Sequence, residues 1–241
     1  MNSVLLIFAL ITFASFAGFC FTFWRAGYWS KLLVKLNIME EHTEINDAIN
    51  SWRTCLEQLD IQADVVFLGD SITRNGDFHA FFPDKRICNL GCAGDSILNI
   101  ADRVSMIPTV RPRTLIVMAG INTLASRTLK QSLAHYERLL DDLSKKQPCK
   151  QIIILSVLPV SANSKFCNNK KIIAFNEGIK KMAEARKYTY VDLFSQYAQD
   201  GSLPTTYTED GLHLKSDCYE IWAKAVAEYV NCDITQSQAS F

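Results

Sequence analysis

The apolar pattern of this chain divides it in two. From Val4 to Trp24 the only polar residues are Thr12, Ser15 and Thr22, and no charged residue occurs before Arg25. Beyond about position 63, short apolar runs alternate with longer stretches in which apolar residues recur every three or four positions. The short runs predict strands at Val65–Leu68, Arg86–Leu90, Thr114–Met118, Gln151–Leu158 and Thr189–Asp192. They are continuous rather than alternating, as in parallel strands covered on both faces. The longer stretches predict helices at 96–107, 127–146, 168–186 and 215–231; in the last, Ile221, Trp222, Ala225, Val226 and Tyr229 make one apolar face. Strands alternating with helices imply βαβ units. The expected architecture is α/β: a three-layer α/β/α sandwich with a five-stranded parallel sheet over residues 63–232, followed by a polar tail, 233–241.

The apolar N-terminal run is long enough to span a membrane as a helix, which takes about 20 such residues. Trp24, Tyr28 and Trp29, then Arg25, Lys31 and Lys35, form the aromatic and cationic flank of a span. A cleaved signal peptide is the competing reading. It calls for a charged start, a shorter apolar core and a small-residue cleavage site, and here the start is uncharged and the core long. Residues 1–29 are therefore expected to form a retained transmembrane anchor and its flank. The positive flank favours a cytoplasmic domain, with a periplasmic or extracellular one as the alternative. Between anchor and domain, Ile45, Ile49, Trp52, Leu56 and Leu59 predict an amphipathic helix within a linker, 30–62.

Composition then narrows the function. The chain has 241 residues, 25 basic and 25 acidic, with 49% hydrophobic. That excludes a disordered chain, and the lack of basic excess argues against a nucleic-acid binder. Six of the fourteen Phe precede Trp24, so the domain itself has ordinary soluble composition. Eight Cys without a CxxC pair match reduced thiols better than a disulfide framework or a zinc site.

In an open parallel sheet, ligands bind beyond the carboxyl ends of the strands. After the first strand comes Gly69-Asp70-Ser71-Ile72-Thr73, and after the second Asn89-Leu90-Gly91-Cys92-Ala93-Gly94-Asp95-Ser96. After the third comes Ala119-Gly120-Ile121-Asn122-Thr123, and before the last helix Asp210-Gly211-Leu212-His213. A Ser hydroxyl needs a base to become a nucleophile. His213 can serve through one ring nitrogen, while Asp210 holds the other. The backbone N–H of Ser71, that of Gly94 and the Asn122 side-chain amide can donate to an oxyanion. Each piece alone also fits a turn or a cap; only the ordered set is specific. Asp70 and Asp95 are expected to brace their turns, and Pro159–Asn169 is a candidate pocket wall.

These four blocks resemble those of the SGNH hydrolase superfamily, the GDSL-type esterases and lipases, including its platelet-activating-factor acetylhydrolase-like and carbohydrate-esterase-like members. The resemblance covers most of residues 63–230. It implies a flavodoxin-like sandwich, no metal or other cofactor, a catalytic triad of Ser71, Asp210 and His213, and an oxyanion hole of Ser71, Gly94 and Asn122. Two positions depart from the family pattern. Thr123 stands where an Asp usually follows the Asn, so a different contact must support Asn122. Cys218 replaces the Gly of a Gly-Tyr pair, which implies altered helix spacing.

The expected function is a membrane-anchored serine esterase acting on an acyl, for instance acetyl, ester of a lipid or carbohydrate. Two alternatives stand beside it. An O-acyltransferase would use the same triad with a sugar hydroxyl as acceptor. A catalytically silent tethered binding module would keep the fold alone.

Overall fold

The computed structural model describes residues 61–146 and 148–231, together with Gln58. The anchor and flank expected over 1–29, nearly all of the 30–62 linker with its helix, and the 233–241 tail lie outside the described residues. Among the described residues no helix is long and apolar enough to cross a membrane.

Five parallel strands form one sheet: β1 Val65–Gly69, β2 Ile87–Gly91, β3 Thr114–Met118, β4 Gln151–Leu155 and β5 Thr189–Val191, in the order β2-β1-β3-β4-β5. The central strands β1 and β3 are buried along their whole length, which is why their sequences are apolar throughout. Strand order reverses between β1 and β3, the position at which an open sheet leaves a crevice. The register aligns Gly69 with Gly91 on one side and with Met118 on the other. The three loops leaving β1, β2 and β3 therefore start from one row.

Nine α-helices are described: α1 Ser71–Arg74, α2 Phe78–Phe81, α3 Ile97–Arg103, α4 Ile107–Val110, α5 Ile121–Ser126, α6 Leu129–Lys146, α7 Asn169–Ala185, α8 Leu193–Tyr197 and α9 Tyr219–Asn231. Helix α6 contacts α3 and α7 to form one layer, and α9 contacts α2 and α8 to form the other. In α6, Tyr136, Leu139, Leu140 and Leu143 are buried, the spacing of one helical face. On the α9 side, Phe78 stacks on Phe67 at 3.8 Å and meets the Trp222 ring edge-on at 5.2 Å.

The helix expected over 127–146 is α6, and a separate short helix that the apolar pattern did not show, α5, precedes it across Arg127, which is extended. The break has a local cause. Thr128 Oγ1 accepts from the Gln131 N–H at 3.3 Å while Gln131 Oε1 accepts from the Thr128 N–H at 3.0 Å, a reciprocal cap that restarts the helix. Two other boundaries differ from those read off that pattern. Strand β4 stops at Leu155 rather than at Leu158. Beyond it, the Asn176 side chain takes both backbone groups of Val157, at 2.9 Å each, so side chains replace the sheet ladder. The helix expected over 96–107 continues to Val110 through a 3-10 turn at Val104–Met106.

Candidate active site

Ser71 opens α1, immediately after β1. Asp70 caps that helix, its Oδ1 accepting from the Ile72 N–H at 3.0 Å. The helix sits directly on β2: a Cβ at Gly91 would lie 2.2 Å from the Arg74 nitrogen, so only glycine lets the two approach. Asn89 joins the same elements, donating to the carbonyls of Thr73 at 2.9 Å and Gly76 at 3.0 Å. From α9 the Tyr219 hydroxyl donates to the Ile72 carbonyl at 2.6 Å. The turn that carries the nucleophile candidate is thus tied to both β2 and α9.

His213 and Asp210 lie on a loop pinned at its ends by the Thr208–Leu214 bridge. Ser71 Oγ is 2.9 Å from His213 Nε2, and His213 Nδ1 is 2.6 Å from Asp210 Oδ2. Asp210 Oδ1 accepts from the backbone N–H groups of Leu212 at 2.9 Å and His213 at 2.8 Å. Partial loss of hydration opposes ionisation of the half-exposed Asp210 carboxyl, but the His213 imidazole and these two backbone donors outweigh it and hold the carboxyl well below the usual range. An ionised Asp210 keeps the proton on Nδ1, which leaves the Nε2 lone pair facing Ser71. Thr208 completes the loop, donating to Asp210 Oδ1 at 3.2 Å and accepting from the Gly211 N–H at 3.0 Å. Sequence reading did not single out Thr208, because a lone Thr two residues before an Asp carries no pattern.

The Ser71 N–H is the first of α1 and has no intrahelical acceptor. Gly94, on the loop after β2, adopts φ +78, and a Cβ built there would meet nothing within 4 Å, so its backbone faces open space. Asn122, on α5, donates from Nδ2 to the Asp95 carbonyl at 2.9 Å, beside Gly94. A primary amide has a second N–H, which this bond leaves available. Thr123, the departure from the family pattern, is fully buried, and its Oγ1 accepts from the Ile97 N–H at 2.9 Å. Neighbouring residues of α5 thus grip the 95–97 turn twice, and the support expected from an Asp comes from a hydroxyl instead.

Asp95 does not brace its turn by bonding local amides. Its carboxylate pairs with Arg103 of α3, and both side chains are buried. Arg103 also donates to the carbonyls of Gly69 at 2.9 Å and Leu90. Sequence reading passed over Arg103, since a cation on a helix is ordinarily solvated. The available signal was its setting among Ile97, Ile100, Ala101 and Val104, all buried. Burial pushes the Asp70 carboxyl up to about 7, against the pull of the Ile72 N–H. Arg74, the last residue of α1, is exposed. A cavity of about 490 Å³ opens beside the imidazole, lined by Glu209, Asp210, His213, Leu214, Lys215 and Ser216. Ser161, at the start of the segment read as a pocket wall, borders the same loop through its N–H to the Gly211 carbonyl at 2.9 Å.

No curated protein matches the chain in sequence. Solved structures share its fold. A Streptococcus pneumonia protein described provisionally as a platelet activating factor is 22% identical, with 77% of this chain and 94% of that one covered, at a TM-score of 0.67. A GDSL-like lipase from Bacteroides thetaiotaomicron is 21% identical over 76% of this chain and 96% of that one, TM-score 0.63. A variant of an acetyl xylan esterase from Geobacillus stearothermophilus is 19% identical over 74% and 100%, TM-score 0.58. The model of the GDSL-like Lipase/Acylhydrolase family matches residues 67–221, well over half of the sequence. The chain belongs to that family and is a carboxylic-ester hydrolase.

Proposed function

We propose that the chain cleaves its ester through a Ser71–His213–Asp210 triad, with the Ser71 and Gly94 N–H groups and the Asn122 amide as oxyanion donors. The observation that carries this reading is the unbroken sequence of contacts from Ser71 Oγ through His213 to Asp210, at 2.9 and 2.6 Å. Ser71 Oγ attacks the acyl carbon as Nε2 takes its proton, and the carbonyl π pair moves onto the oxygen held by the three donors. Collapse of the intermediate breaks the C–O bond, and imidazolium Nε2–H protonates the departing alcohol. Water, deprotonated by the same nitrogen, then attacks the acyl-serine and releases the acid.

His213 hands its proton to the alcohol, so the cavity beside it would hold the alcohol portion of the substrate. Its lining carries both Glu209 and Lys215 with Ser216 and one aliphatic side chain, Leu214. That lining favours a polar, hydroxyl-bearing alcohol, a sugar or a lipid headgroup, over a hydrocarbon alcohol. Two structural neighbours bear the names platelet activating factor and acetyl xylan esterase, in keeping with such acyl esters. The uncharged run from Val4 to Trp24 supports a membrane tether for the domain.

The test is hydrolysis of a panel of water-soluble esters, sugar acetates and acyl esters of rising chain length by the wild type and by Ser71→Ala. The reading predicts that the Ser71→Ala rate falls to background on every ester that the wild type cleaves. Wild-type rates from Ser71→Ala would overturn it.

A further inference from the structure

Each proposed oxyanion donor sits on a different segment: Ser71 after β1, Gly94 after β2 and Asn122 after β3. Main-chain connectivity alone does not fix their mutual distances. Arg103 touches the first two regions directly and reaches the third through Asp95. One terminal nitrogen donates to the Gly69 carbonyl at 2.9 Å, two residues before Ser71. The other donates to the Leu90 carbonyl, on β2 just before the Gly94 loop. Its charge pairs with the carboxylate of Asp95, next to Gly94, and the Asp95 backbone carbonyl is the acceptor for Asn122 Nδ2 at 2.9 Å. The Arg103 side chain is 0% exposed, so it cannot reach substrate. A guanidinium is buried at high cost unless paired and hydrogen-bonded. Here one carboxylate and two carbonyls serve both terminal nitrogens, while the buried Nε has no acceptor among the described residues.

We propose that Arg103 is a positioning residue of the ester hydrolysis, a buried clamp that sets the spacing of the three oxyanion donors. The planar fork suits the role: it directs several N–H groups at fixed angles, whereas a lysine ammonium is a single compact charge on a shorter reach. Loosening the clamp shifts donors relative to the developing oxyanion. Misplacement by about 1 Å can cost roughly 10²-fold in rate. Ground-state binding, which takes place in the cavity beside His213, is untouched.

This rests on the oxyanion-hole reading above, and the experiment separates the two. Arg103→Lys and Asp95→Asn are made in the full chain, and kcat and KM are measured separately on a water-soluble ester, with melting curves to report folding. The clamp predicts kcat down about 10- to 100-fold with KM changed less than about twofold. It also predicts that adding Asn122→Ala to either variant costs less than the product of the separate losses, because all act on one donor set. If Arg103→Lys does not fold, Asp95→Asn, which keeps the side-chain shape and an acceptor oxygen, must show the same kcat loss. A folded variant with wild-type kcat, a loss confined to KM, or multiplicative losses with Asn122→Ala overturns the clamp. Ser71→Ala run alongside distinguishes the levels. If it stays active the triad reading falls, whereas an inactive Ser71→Ala beside a fully active Arg103→Lys overturns the clamp alone.

Discussion

Asp70 and Asp210 both lie near His213, yet their surroundings push them in opposite directions. Asp210, about half exposed, is held ionised by the imidazole and two backbone donors. Asp70, 1% exposed, accepts one backbone N–H and is raised by burial to about 7 from 3.8. Between those two values the folded chain keeps a proton that the unfolded chain has released, so stability falls as pH rises through that window and levels off above it. Asp70→Asn removes the titration. Melting temperatures of the two proteins from about pH 4 to about pH 8 should show the wild type losing ground to the variant up to about pH 7 and holding level beyond it. A constant difference over the range would refute the assignment. At this scale the reacting groups were legible because their chemistry is tied to residue type: a Ser, a His and an Asp at strand exits leave few roles. Arg103 and Thr208 were not, since their meaning lies in what folds against them.

Elements with a long apolar period were readable, and short ones were not. Helix α7 buries Ile172, Phe175, Asn176, Ile179 and Ala183 on one face, and its range was visible from spacing. Helices α1 and α2, of four residues each, hold barely one turn and offer no period to detect. The end of β4 is set by Asn176, far along the chain, so no local pattern could mark it. The start of α6 was legible to within two residues, where the Thr128–Gln131 cap sets it, but the six-residue α5 before it was not. Thr123 links α5 to the start of α3 through the Ile97 N–H, a contact wholly inside the protein. Thr123→Val keeps the shape and strands that N–H, which should cost about 1–3 kcal/mol in urea unfolding with the slope unchanged. A loss below about 0.5 kcal/mol would show that the turn is held by other contacts.

Over the whole molecule, hydropathy and charge separate by region. The uncharged run ends at Trp24, and all 50 charges follow it in equal numbers of each sign. Such a domain has little long-range field with which to draw a charged substrate, so selection falls to the shape and polarity of the cavity. The tether proposal predicts that the full chain sediments with membranes. Removing residues 1–29 should leave the domain in the soluble fraction, with kcat on a water-soluble ester within about twofold of the full chain. Recovery of the full chain in the soluble fraction would contradict it. The βαβ alternation implies a parallel sheet with its ligand site beyond the carboxyl ends of the strands, whereas the strand order that puts the crevice between β1 and β3 is visible only in the fold. The central claim is that Ser71 is the nucleophile, and intact-mass measurement after treatment with a fluorophosphonate tests it most directly. The wild type should gain one adduct, mapped to Ser71, with ester hydrolysis lost in step, while Ser71→Ala gains none. An adduct on another residue that abolishes activity, or a Ser71→Ala protein that still labels and hydrolyses, would contradict it.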